Sequence, residues 1–206
     1  MKRKWTDLPV WDFIRLAGGL LALNVLCFLC CLPVVTIVAS FSAMYGTLFK
    51  LKDDTGIPVI RTFLLELKEN ILPSLAVEGI AVVLLAVAGG DAYYALSQEG
   101  AARFMFLTVA TVIAVIAVIL LTFGTTQIAR FKNTVKNYIK NSFVLALVSP
   151  GWMVLAWLVW AVFLGLLLAF PRFMLTNLGW FYFMWGLSIP AYICTGIFSR
   201  VFKRFE

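Results

Sequence analysis

Glu78 is the only acid well inside an apolar stretch of this chain, the run 70–90. An ionised carboxylate at membrane depth is expensive. Such a group stays protonated, pairs with a cation, or lines a path for a solute or ion. Asn24 and Thr36 belong to a second polar group, with Ser40, Ser42 and Thr47, inside the run 16–49. The pairs Ala39 with Ala43 and Ser42 with Gly46 lie four apart, the small-residue spacing that lets helices approach closely. Packing therefore explains most of that group, while Glu78, Asn24 and Thr36 remain the intramembrane polar candidates.

Three cysteines, Cys27, Cys30 and Cys31, fall on one helical face, and Cys194 stands alone. Thiols at that spacing could bind a soft metal or carry redox chemistry. There is no second C-x-x-C and no histidine to complete a ligand set. They read as small apolar packing residues, with no metal and no cofactor. The chain also has no phosphate-binding glycine loop, no paired carboxylates and no lysine inside a span to activate a serine, so no enzyme is expected.

Lys132, Lys136 and Lys140 recur every four residues beside Asn133, Asn137 and Asn141, with Phe131, Val135, Tyr138 and Ile139 on the apolar side. From Arg103 to the C-terminus the only acid is Glu206. This pattern suits lipid headgroups or the docking of an acidic cytoplasmic partner.

The elements that must position these residues are long and greasy. The chain is 63% hydrophobic and 13% charged, against about 25% charged in an ordinary soluble domain. Its stretches 16–49, 70–90, 104–129, 141–171 and 173–199 each approach or exceed the roughly 20 residues a helix needs to cross hydrocarbon. Barrel strands would be about 10 residues long and alternate in polarity, which these do not. The expectation is an all-α, polytopic helical membrane protein forming one integral membrane domain over 1–206. It has five or six membrane segments: 16–49 as a hairpin broken at Pro33, then 71–90, 104–128, 143–170 and 174–198. Lys2, Arg3 and Lys4 followed by an apolar run resemble a secretory signal with Val38-Ala39-Ser40 as its cleavage site. The run continues to Phe49, however, and the segment reads as uncleaved.

Charge placement orients the segments. A hairpin at 16–49 puts 15 of the 17 basic residues on one face and leaves only Arg103 and Arg172 on the other. A single kinked span would leave 11 against 6. The positive-inside rule favours the hairpin, with both termini cytoplasmic in a cell membrane. The same placement, at segment ends and in loops, explains the net charge of +7 without nucleic acid.

Two cytoplasmic amphipathic elbow helices are expected before long spans. In the first, Pro58 opens a helix whose Ile60, Phe63, Leu64, Leu67 and Ile71 share one face, with Glu66, Lys68 and Glu69 mainly opposite. Pro73 then starts the next span late, which would bring Glu78 nearer the interface. The second elbow carries the 132–140 lysines.

The run Leu23-Asn24-Val25-Leu26-Cys27-Phe28-Leu29-Cys30-Cys31-Leu32-Pro33-Val34-Val35-Thr36-Ile37 resembles the signature of the YesL family, bacterial membrane proteins carrying a domain of unknown function. The small residues and tyrosine at 39–45, and the Phe63 to Asn70 elbow, continue the likeness. Val38 stands where the family often has glycine. Members commonly lie beside genes for carbohydrate import or polysaccharide use. The resemblance thus implies an accessory or regulatory component of carbohydrate uptake, with an importer or sensor component as partner. A small-solute permease is the alternative. No family site residues carry across, and the bilayer is the only partner expected with no further argument.

Overall fold

A computed structural model describes residues 9–169, 171–172, 176 and 179–203. Among them are eight helices and no strands, so the protein is an all-α polytopic chain. Four helices are long and apolar enough to cross a membrane, or up to six if each bent pair is one span.

The first apolar run folds as two helices, α1 (Pro9–Cys30) and α2 (Ile37–Asp53), joined by a turn that includes a short 3-10 segment, Val34–Thr36. Pro33 sits in this turn, where its missing N–H and fixed φ interrupt no ladder. The Thr36 hydroxyl lies 2.6 Å from the Cys30 carbonyl and 2.8 Å from that of Pro33, closing the break with its one proton. Away from the bend both helices pass the ends of the 16–49 run, α1 beginning at Pro9 and α2 ending at Asp53, because charged residues at either base still continue the helices. α1 buries Leu20, Leu23, Asn24 and Cys27, a stripe at helical spacing. α2 buries 12 of its 17 residues.

α3 runs unbroken from Val59 to Ala95, 37 residues. This corrects the separate first elbow and the late-starting span. Pro73 lies inside the helix, and its neighbours Asn70, Ser74 and Val77 hold one face buried on both sides of it. Proline is tolerated in membrane helices where packing and nearby polar groups re-satisfy the freed backbone. α4 (Gly100–Arg130) returns antiparallel, interrupted by a π turn at Leu120–Gly124. The α3–α4 seam carries Ala81, Ala88 and Ala95 facing Ala110 and Ala117, all buried and seven apart within each helix. Small residues at that repeat let two helices supercoil closely without a large side chain between them.

α5 (Val135–Val148) and α6 (Pro150–Ala169) meet at 98°, so the expected span 143–170 is not one straight helix. Pro150 opens α6 and excludes helical geometry from Ser149, whose φ of −133° and ψ of 51° make the corner. α7 (Gly179–Trp185) and α8 (Ser188–Phe202) meet at 45°, dividing the expected 174–198 segment, whose first residues lie partly outside the described ones.

Contacts fix the register. Lys50 pairs with Glu66 at 2.6 Å, and the Val38 N–H reaches Glu78, so α2 and α3 are antiparallel with these residues level. Tyr45 meets Phe198 and Phe49 meets Phe202, so α8 runs parallel to α2. The bend between α1 and α2 is level with Glu78, and from there α3 rises about 26 Å further to Ala95 at about 1.5 Å per residue. The core lies at the other end, where α1, α2, α6 and α8 enclose Phe63, Phe123, Phe198 and Phe202.

Candidate functional site

The three intramembrane candidates do not converge on one site. Asn24 is a clamp. Its Nδ2 donates to the Phe183 carbonyl at 2.7 Å, while its Oδ1 accepts the N–H groups of Leu187 and Ser188 at 2.7 and 3.0 Å. Those groups belong to the break between α7 and α8, whose backbone has no full ladder of its own. An amide at 2% exposure thus satisfies both sides of a bend more than 150 residues away. Thr36 is spent on the hairpin break.

Glu78 is 8% exposed, and its Oε2 accepts the Val38 N–H at 3.3 Å. Val38 lies in the first turn of α2, where backbone N–H groups lack helical partners and the macrodipole is positive. A helix terminus, not a cation, faces this carboxylate: among the described residues no lysine or arginine lies within ion-pair distance of it.

Below Glu78 the α2–α3 interface stays polar. Glu66, Asn70, Ser74 and Glu78 recur every four residues on α3, opposite Lys50, Gly46, Ser42 and Val38 on α2. Glu66 Oε1 takes the Lys50 ammonium, and its Oε2 accepts Asn70 Nδ2 at 3.0 Å. The Ser42 and Ser74 hydroxyls are fully buried, and neither has a hydrogen-bond partner. This file went unnoticed in the sequence, although its four-residue spacing was readable there.

The cysteines lie at the hairpin bend and in α8, all as free thiols, with Cys27 and Cys31 Sγ atoms 3.9 Å apart. No group of three His, Cys, Asp or Glu that could hold a metal ion occurs among the described residues.

The basic row divides. Lys132 precedes α5 in the segment 131–134, so it does not share a helical face with Lys136 and Lys140, which corrects the expected row of three. The Tyr138 hydroxyl holds that segment in place: it donates to the Phe131 carbonyl at 2.6 Å and accepts the Asn133 N–H at 2.8 Å. Lys132 then reaches Glu69 at 2.9 Å. Each holds the other charged: the Glu69 carboxyl sits below its ordinary range and the Lys132 ammonium above its own. Lys136 and Lys140 are exposed on α5 with no ion pair among the described residues.

Two further features carried no sequence signal. Arg130 lies over the rings of Phe49 and Phe202, at 5.2 and 5.8 Å, tying the ends of three helices together. A crevice of about 340 Å³ beside the π turn is lined by Phe41, Tyr45, Trp157 and Trp160, with Trp157 Nε1 donating to Thr122 Oγ1 at 3.0 Å. Aromatic residues in a greasy helix look alike in sequence whether they face lipid or a neighbour.

These elements define a polytopic helical membrane protein with a file of polar side chains between α2 and α3. Residues 20–92, from within α1 to near the end of α3, match the family model of a protein of unknown function, DUF624. No curated protein and no solved structure matches the chain.

Proposed function

We propose that this protein is a non-catalytic accessory or regulatory component of carbohydrate uptake or utilisation in a bacterial cell membrane. The carbohydrate link comes from the YesL resemblance. The observation that carries the docking role is on α5: Lys136 and Lys140 are exposed, have no ion pair among the described residues, and no acid follows them until Glu206. A partner of opposite charge would find both ammonium groups available. Both termini belong in the cytoplasm on this reading, by the positive-inside rule; Lys2, Arg3, Lys4 and Arg204, which weigh in that count, lie outside the described residues. Affinity purification from native membranes tests the proposal. Wild-type protein should bring down an importer or sensor component, and Lys136→Glu with Lys140→Glu should lose it. A wild-type sample free of any such component would remove the accessory reading.

The burial of Glu78 favours one other function, permeation of a small solute. Asn24 cannot help line its path, because its amide is already taken by the α7–α8 break. Reconstituted protein would then show flux that falls in Glu78→Gln, and equal flux in the variant would take Glu78 out of the account.

A further inference from the structure

We propose that the α2–α3 seam is a one-sided proton path, through which Glu78 exchanges protons with the compartment at the Lys50 end and with no other. The inference does not depend on docking at α5.

The register of the two helices carries it. Since Lys50 is level with Glu66 and Val38 with Glu78, Ser42 falls opposite Ser74 between them, about one helical turn from Glu78. From Glu66 to Glu78 is about 18 Å along α3, and every fourth side chain over that distance is polar. Two fully buried hydroxyls with no protein partner lie within the file, nearer its Glu78 end. Buried polar groups are normally satisfied, and water is the usual partner where protein supplies none. Gly46 and Ser42 keep the α2 side small: a Cβ at Gly46 would come within 2.7 Å of Glu66 Oε2. Bridging water in this seam would link the Glu66 carboxylate to Glu78 through hydroxyls that both donate and accept.

Beyond Glu78 the file stops. Residues 79–90 of α3 have no polar side chain. Facing Glu78 are the Val38 N–H from α2 and the Cys31 thiol from the bend, with no cation in ion-pair reach among the described residues. The step is a proton transfer only. A hydronium at the Lys50 end loses a proton to the relay, and an O–H bond forms on the Glu78 carboxylate. Deprotonation returns it the same way.

The test uses full-length protein in vesicles of a single orientation, with pH changed separately inside and outside. The infrared carboxyl band of Glu78 is assigned by its loss in Glu78→Gln. It should follow the pH of the Lys50 side alone, and Ser42→Ala with Ser74→Ala should slow its response about tenfold, as expected for one lost hydrogen bond in the barrier. Removing hydroxyls with no protein partner should leave the fold intact; if the double variant fails to fold, Ser74→Ala alone decides. A band that follows the opposite side or both sides overturns the proposal. So does a response in the serine variant as fast as wild type, or no titrating band at all.

Discussion

α2 and α4 invert the rule that the greasier helix lies deeper. α4 is by far the more hydrophobic of the two spans, yet its α-helical portion Gly100–Ile119 buries only Ala110 and Ala117. α2 is the less hydrophobic and carries Ser40, Ser42, Tyr45 and Thr47, yet most of it is enclosed by α1, α3, α8 and the end of α4. Lipid tails are as apolar as leucine, so no hydrophobic gain drives Leu or Val from lipid into a helix interface. Small residues that permit close approach, and polar groups that need partners, decide which helix goes inside. Exposed Val109, Val112, Val115 and Val118 on α4 belong to a surface whose solvent is hydrocarbon.

That contrast predicts a gradient of mutational tolerance. The largest effect should come from Gly186→Val, since a Cβ at Gly186 would collide with the Tyr182 carbonyl and the α7–α8 bend could not form. A loss of about 3 kcal/mol is expected in detergent unfolding; a change under about 1 kcal/mol would show that the bend is not obligatory. Asn24→Leu removes three hydrogen bonds to that same bend. At roughly 0.6 kcal/mol each in a membrane protein, the loss should be near 2 kcal/mol. On the α3–α4 seam, Ala117→Leu should cost about 1–3 kcal/mol by overpacking a 0% exposed site, whereas Val112→Leu on the lipid face of the same helix should stay within about 0.5 kcal/mol. Equal costs at 112 and 117 would erase the distinction between the two faces.

The smallest effect belongs to the exposed Glu69–Lys132 pair. Glu69 titrates below its ordinary range in the folded protein, so its contribution holds at neutral pH and is lost as acid carries it through that lowered pKa. Lys132 is shifted upward, so its contribution persists to the ordinary lysine range and disappears as pH rises beyond it. Unfolding of wild type and Lys132→Gln should differ little at neutral pH and coincide at both extremes. Enough salt should remove the remaining difference.

Much of the architecture was legible because membrane helices announce themselves by length and polarity. The apolar stretches follow helices, but the corner at Pro150 lies inside the expected 143–170 span and was not read from it. Pro73 misled because a lone proline in a helix with firm neighbours need not break it. Lys132 misled because a four-residue spacing implies a shared face only if the helix has already begun, and here Tyr138 holds residues 131–134 out of helical form. Asn24 stood among the intramembrane polar candidates because nothing local reveals a partner near residue 187. The Glu66 to Glu78 file was the opposite case: its periodicity lay in plain view, while the part of α2 that completes it came only with the register.

The Asn24 clamp also has a consequence in time. Its acceptor at Phe183 is 159 residues downstream. At ribosomal speeds of roughly 5–20 residues per second, about ten to thirty seconds separate the appearance of the amide from that of its partner. Throughout that interval the newborn N-terminal hairpin carries an amide with no permanent acceptor, and it must borrow water, lipid or the insertion machinery until the last helices arrive.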